Sequence, residues 1–161
     1  MVTDAIEAPA ALSTDLCWLL ARASHALTTE LTAALEDLGI SPRAHAVLTT
    51  ALPGELTQSE IARAVGLDKT TMVVTMDELE ADGLAERRPS RSDRRARVIV
   101  VSEAGKAKVR EADKVLDRVR DDVLSVLAPD ERDTFLRGLS RLACGRLAEP
   151  VPCAHPVRRR A

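Results

Sequence analysis

The sequence predicts a mainly α-helical protein with one small β-hairpin, on three observations. The 161 residues contain only two aromatic side chains, Trp18 and Phe135, so the core must be built from Leu, Val and Ala, which favours packing of helices on helices. Apolar residues recur at steps of three and four over long stretches, as in amphipathic helices. Two short runs with strand character flank one turn-rich segment.

The first two helices are predicted from apolar spacing and from their end signals. The first runs from about Ser13 to Leu38, and Gly39 stands where a C-terminal cap is expected. The second begins at Ser41-Pro42, with serine as the N-cap and proline in the first helical position. It continues through Leu52 and is ended by Pro53-Gly54.

The next two helices are short and are separated by a single glycine turn. The segment Thr57–Glu60 has the pattern of a capping box, and the helix that it opens ends near Val65, because Gly66 permits a left-handed turn. Asp68 then caps a helix that runs to about Asp82. This order is typical of a helix-turn-helix, in which the N-terminus of the second helix enters the major groove of DNA.

A basic hairpin follows directly. Leu84–Arg88 and Arg97–Val101 are the two predicted strands, and the segment between them is rich in turn residues. The net charge of the chain is −2, yet Arg87–Arg97 holds six arginines and a single acid. Such a local excess of positive charge is typical of a phosphate-binding surface. Helix, turn, helix, strand, basic loop and strand together predict a winged helix-turn-helix.

The remaining helices predict an association between chains. Ser102 caps a long helix whose apolar seam runs from Val109 to Val126 at alternating steps of three and four, which indicates a partner helix, although packing within a monomer would also explain it. Pro129 opens a last helix that reaches about Leu147. The expected organisation is a disordered lead at 1–12, dimerisation helices at 13–40 and 102–147, the winged helix-turn-helix at 41–101 and a flexible tail at 148–161.

Other classes of protein find little support. No apolar run is long enough for a membrane span, the acidic start is not a signal peptide, and three widely spaced cysteines do not form a secreted disulfide framework, so a cytoplasmic protein is expected. No catalytic motif, cofactor loop or metal-ligand spacing is visible except Cys153-Ala-His155 in the tail. We therefore expect no catalytic residue, no metal and no cofactor. A winged module that binds protein instead of DNA would not need the arginine-rich wing.

The sequence resembles the MarR family of bacterial transcriptional regulators over nearly all of residues 13–147. The resemblance is carried by the stretch that begins GLDKTTMVV, by Asp93-Arg94-Arg95, which looks like the D-x-R signature of the family, and by Ser102–Gly105. It implies an obligate homodimer, with the first and last two helices interleaved, that binds double-stranded DNA at a pseudo-palindromic operator. Such proteins are usually repressors that are released by a small molecule or an oxidant.

The resemblance also implies roles for individual residues. Arg95 would enter the minor groove, Asp93 would orient a neighbouring arginine by a charge-assisted hydrogen bond, and Arg91 and Arg94 would contact phosphates or the minor groove. The residues expected to face the major groove are Lys69, Thr70, Thr71 and Thr75.

The effector site is less well specified. The usual effectors of the family are small aromatic or phenolic anions held between the dimer helices and the winged domain. Positively charged or stacking side chains on the first two helices could hold such an anion, although dimer packing explains them equally well; they are Trp18, Arg22, His25, Arg43 and His45.

An oxidative switch is the alternative. Cys17 lies at a position similar to that of the reactive cysteine in the peroxide-sensing OhrR branch of the family, and a disulfide from Cys17 to Cys144 of the other subunit would be a plausible switch. That branch holds its thiolate with tyrosine hydroxyls, and this chain has no tyrosine. Without such donors Cys17 would be a small buried hydrophobic residue.

Overall fold

The computed structural model describes residues 12–54, 56–90, 96–149 and 151, and it divides into two units, Met1–Val119 and Arg120–Ala161. The described residues form six α-helices and one two-stranded antiparallel hairpin, which confirms the predicted mainly α-helical class. Among these residues, no helix is both long and apolar enough to cross a membrane.

Helix α1 spans Leu16–Ala34 and is shorter than expected at both ends. Asp15 is its N-cap and accepts a hydrogen bond from the backbone N–H of Trp18 at 2.7 Å. The predicted end at Leu38 is wrong, because Leu35 turns into the core with 0 % exposure and the chain tightens into a 3₁₀ turn over Glu36–Leu38. No residue of α1 itself is buried in this chain.

Helices α2 (Pro42–Ala51), α3 (Gln58–Val65) and α4 (Lys69–Ala81) follow, and their beginnings agree with the predicted caps. The side chain of Ser41 accepts a hydrogen bond from the N–H of Ala44 at 3.1 Å at the start of α2. The core of the first unit is almost entirely aliphatic, as the scarcity of aromatic residues requires. Its fully buried large side chains are Leu35, Val47, Leu48, Ile61, Met72, Met76, Leu79, Ile99 and Val109.

The hairpin consists of β1 (Ala85–Pro89) and β2 (Arg97–Val101), with Arg87 opposite Ile99. It is also joined to the segment before α3, because the N–H of Ile99 donates to the carbonyl of Leu56 at 3.3 Å and Thr57 forms a bridge with Val98. The middle of β2 is therefore held at the N-terminal end of α3.

Helix α5 (Glu103–Leu124) begins beside the turn that follows α4, at Gly83 and Leu84. The hydroxyl of Ser102 donates to the carbonyl of Gly83 at 2.7 Å and accepts from the N–H of Gly105 at 2.9 Å. A side chain at Gly105 would meet backbone, since a Cβ built there lies 2.1 Å from the carbonyl oxygen of Leu84. The absence of a side chain at this position thus allows α5 to approach the hairpin closely.

Two long-range polar contacts join α5 to the segment that runs from the 3₁₀ turn into α2. The ammonium of Lys108 donates to the carbonyl of Leu38 at 2.9 Å, and Nε2 of His45 lies 2.8 Å from Oδ1 of Asp113. They place α5 beside the 3₁₀ turn and α2.

The second unit contains α6 (Pro129–Arg141), which continues into a π-helical turn over Leu142–Arg146. The expected helix to Leu147 therefore changes type after Arg141, and Gly145 within the turn has non-helical dihedral angles. None of the residues of α6 is buried in this chain. The large apolar residues of the unit that face solvent are Val123, Val126, Phe135, Leu136, Leu142, Leu147 and Val151.

Candidate nucleic-acid interface

Local hydrogen bonds fix the start of α3 and the turn that joins α3 to α4. The Thr57 N–H donates to Oε2 of Glu60 at 2.8 Å, and the Glu60 N–H donates to the Thr57 hydroxyl at 3.3 Å. The hydroxyl and the N–H of Thr57 hold the pKa of the Glu60 carboxyl below its usual value. Gly66 then adopts a φ of 72°, and the Leu67 N–H donates to the carbonyl of Ala62 at 2.8 Å. This geometry is that of a helix-turn-helix.

The N-terminus of α4 is held by one acidic cap. Asp68 accepts from the N–H of Thr71 at 2.9 Å and from its hydroxyl at 2.6 Å. These two bonds, the hydroxyl first, lower the pKa of the Asp68 carboxyl. Lys69 and Thr70 are exposed beside this cap, whereas Thr71 is half-buried and uses its hydroxyl hydrogen within the protein.

Helix α4 has one face in the core and one face in solvent. The core face carries Met72, Thr75, Met76 and Leu79. Thr75 is 0 % exposed and its hydroxyl donates to the carbonyl of Thr71 at 2.8 Å, so the expectation that Thr75 faces DNA is wrong. The physical reason is that a threonine can satisfy its hydroxyl on its own helix and then be buried like valine.

Arg87 joins α3, α4 and β1 through its guanidinium group. Its Nε donates to Oε1 of Gln58 at 3.0 Å, and Nη2 donates to the carbonyl of Val73 at 3.1 Å. Nη2 also lies 2.8 Å from Oδ1 of Asp77, and Nη1 pairs with Glu80, which further accepts the Arg87 N–H at 2.6 Å. Sequence reasoning counted Arg87 only as one of six wing cations. Its partners are distant along the chain, and only the fold brings them together.

Part of the positive charge of the wing is therefore paired with carboxylates of the same chain. Arg87 is neutralised by two carboxylates, and Arg88 pairs with Glu86 on the exposed side of β1. The remaining expected contacts, Arg91, Asp93, Arg94 and Arg95, lie outside the described residues, and their roles stay predictions.

The five residues expected at an effector site do not come together in one chain. A cavity of about 740 Å³ lies between the C-terminal half of α1 and the start of α2. Its lining includes His25, Ala33, Glu36 and Ile40, together with three threonines of α1, but none of the other four expected residues.

Three of those four residues have other surroundings, and Arg43 is exposed. The Arg22 guanidinium lies 5.6 Å from the centre of the Trp18 ring, in the geometry of a cation–π contact. His45 is engaged by Asp113, and its Nε2 also lies 3.3 Å from the hydroxyl of Thr49. The sequence did not indicate the three threonines as lining residues, because the candidates were chosen for positive charge or an aromatic ring and threonine has neither.

The cysteines give no further support to a switch. Cys17 and Cys144 are both exposed and not in a disulfide, so the expected burial of Cys17 is wrong for the single chain, whose α1 has no buried residue. The redox alternative stays a prediction. Among the described residues, no three His, Cys, Asp or Glu side chains converge as metal ligands; Cys153 and His155 lie outside them.

Comparison with known proteins gives a consistent picture. The family model described as "MarR family" matches residues 38–96, which include the helix-turn-helix and most of the wing. The chain is similar to CouR of Rhodococcus jostii RHA1 bound to p-coumaroyl-CoA, at 27 % identity over 85 % of this chain and 97 % of that one, with a TM-score of 0.75.

Two further structures extend the comparison. The transcriptional repressor CouR bound to a 23-mer DNA duplex is 28 % identical over 85 % of this chain and 99 % of that one, with a TM-score of 0.78. A MarR family protein of Mycobacterium tuberculosis in complex with p-aminosalicylic acid is 26 % identical over 80 % of this chain and 98 % of that one, with a TM-score of 0.66.

Proposed function

We propose that the chain is a transcriptional regulator of the MarR family, and that it acts as a homodimeric repressor that binds a pseudo-palindromic operator and leaves it when a small molecule binds. The observation that carries this proposal is the solvent face of α4, which the Asp68 cap and Arg87 hold beside a basic hairpin. A helix displayed in this way is suited to the major groove, and the hairpin to the adjacent minor groove.

Within this proposal, the first turn of α4 and the tip of the wing contact different parts of the duplex. Lys69 and Thr70 are exposed and can reach base edges or phosphates, and Thr71 can still accept a hydrogen bond. Arg95 enters the minor groove, Asp93 orients a neighbouring arginine, and Arg91 and Arg94 contact phosphates or the minor groove. The similarity to a repressor solved with a DNA duplex supports this assignment.

The exposed apolar residues support a dimer. Helix α1 buries none of its residues in this chain although it carries Leu16, Leu19 and Leu27, and the second unit exposes Phe135 and Leu136 among others. Apolar faces of this extent mark association surfaces in proteins. A dimer with two-fold symmetry would hold two winged units at a fixed spacing, as a pseudo-palindromic operator requires.

The wing is tested by Arg95→Ala. We expect wild type to bind the DNA upstream of its own gene as two chains per duplex, with an affinity that falls steeply with salt. The variant should bind more weakly, and its salt slope should be smaller by about 1, because one phosphate or minor-groove cation is lost. Fluorescence anisotropy at several salt concentrations measures both quantities.

The control for this experiment is Arg43→Ala, which removes one exposed positive charge from α2 and should leave the slope unchanged. A wild type without salt-sensitive preference over random duplex would refute the regulator function and favour an interaction module. Equal binding by Arg95→Ala and wild type would refute only the role of Arg95.

The cavity beside α1 is the proposed effector site. CouR is described with p-coumaroyl-CoA and the mycobacterial protein with p-aminosalicylic acid, both of which combine an aromatic ring with an acidic group. Here Ala33 and Ile40 offer apolar contact, and His25 can donate a hydrogen bond to an acid. We propose that the ligand is a small aromatic or phenolic anion.

His25→Ala tests this site. The variant should need about ten times more p-coumaroyl-CoA or p-aminosalicylate than wild type to release DNA, since a hydrogen bond to a charged group is lost. Anisotropy of a preformed complex measures the release. If neither compound releases wild type, this ligand class is wrong; if both proteins respond equally, His25 is not part of the site.

A further inference from the structure

Two valines face solvent on α4, where an isolated helix would gain nothing from them. Val73 is 38 % exposed and Val74 is 49 % exposed. Valine is not a strong helix former, and exposure of its apolar side chain to water is unfavourable. Val74 lies opposite the buried residues Met72, Met76 and Leu79, and Val73 lies beside it at the edge of the solvent face. An apolar pair in this place indicates a partner that covers it.

The charges around the pair indicate what kind of partner this is. Lys69 and Thr70 precede the valines, whereas an exposed acidic residue, Glu78, follows them in the next turn, where Asp77 is paired with Arg87. A polyanion would therefore meet the first two turns of the helix and be repelled beyond them. The Val73 carbonyl is also fixed by the Arg87 guanidinium at 3.1 Å, so the second turn is held in place beside the basic hairpin.

DNA offers one apolar group to a helix in its major groove, the C5-methyl group of thymine. Valine has no hydrogen-bonding atom in its side chain, so it cannot recognise the polar edges of guanine, cytosine or adenine. It can, however, remove a methyl group from water by contact. The exposed valines therefore match thymine better than the other three bases, because thymine alone adds a methyl group to this edge.

We propose that Val73 and Val74 contact thymine methyl groups and thereby select A·T pairs in each operator half-site, at the position of the second turn of α4. This inference rests on the DNA binding proposed above. It makes the two valines specificity-determining residues, while Lys69 and the wing supply affinity for any sequence.

The test uses the full-length protein and a duplex that wild type selects from a randomised pool. Each thymine is replaced in turn by deoxyuridine, which removes the methyl group and keeps base pairing. For wild type, affinity should fall about fourfold at one or two positions in each half-site, the value expected for one buried methyl group. Val73→Ala and Val74→Ala should bind the thymine duplex more weakly and lose this sensitivity. Both variants should fold, because alanine is the better helix former.

Leu52→Ala is the matched control, since Leu52 is also an exposed apolar residue of the winged segment but follows α2. It should keep the full response to methyl removal. A selected duplex without sensitive thymines, or equal sensitivity in wild type and the valine variants, would overturn the inference while leaving DNA binding intact. If the DNA-free valine variants instead sediment as smaller assemblies than wild type and keep the methyl sensitivity, this face is a contact between copies of the chain. Absence of any selected sequence would refute the proposed function itself.

Discussion

Gly105→Ala is expected to lower the free energy of unfolding by about 3 kcal/mol, at the upper end of what overpacking costs. The new Cβ would lie 2.1 Å from the Leu84 carbonyl oxygen and 2.7 Å from a methyl group of Val101. That carbonyl cannot yield easily, because it accepts the N–H of Ser102 at 3.0 Å. The start of α5 must therefore move away from the hairpin.

Thermal unfolding at equal chain concentration measures this effect. The midpoint should fall by roughly 6–12 °C for a chain of this size. Gly138→Ala is the matched control, because Gly138 also lies within a helix but has no atom within 4 Å of a built Cβ. It should gain about 0.5–1 kcal/mol from the better helix propensity of alanine. Equal or higher stability of Gly105→Ala would show that α5 does not depend on this close approach.

Arg87→Ala is expected to lower stability by about 2–3 kcal/mol, because it removes hydrogen bonds between charged groups at a site where the arginine side chain is only 20 % exposed. DNA affinity should also fall, on the order of tenfold, since a loosened α4 and hairpin must be ordered again on binding. Arg87 makes this contribution as a positioning residue, without touching DNA. The salt slope should therefore stay as in wild type.

Arg88→Ala provides the control, because it removes the same charge from the next residue of β1. The side chain of Arg88 is 58 % exposed and its pair with Glu86 is worth less than about 1 kcal/mol. Chemical denaturation and anisotropy titrations at several salt concentrations compare the two variants. A smaller salt slope for Arg87→Ala with unchanged stability would mean that Arg87 contacts phosphate and does not bridge the helices.

The elements that the sequence predicts well are those whose signals are local. The capping box at Thr57, the turn at Gly66 and the cap at Asp68 each depend on residues within five positions of one another. A short stretch of sequence therefore contains all the residues that cause each of these features. The agreement of all three explains why the helix-turn-helix could be placed to the residue.

The features that escaped prediction depend on contacts between distant segments. The charge of Arg87 suggested DNA, but its partner Gln58 lies 29 residues away. The end of α1 at Ala34 follows from the packing of Leu35 into the core, and packing into the core also buries Thr75. Helical periodicity alone places Thr75 at the edge between two faces, and only the packed core decides which face it joins.

The division of α4 into two faces has a consequence for how such proteins diverge. Substitutions at Thr70, Val73 or Val74 alter what the helix presents to a partner while the buried residues stay in place, so they carry little cost in stability. A gene duplicate could therefore acquire a new binding sequence in a few steps that cost little stability, and then no longer compete with its parent for the same DNA. Thr75 lies in the core, so its substitution would lower stability and would not change the surface that α4 presents.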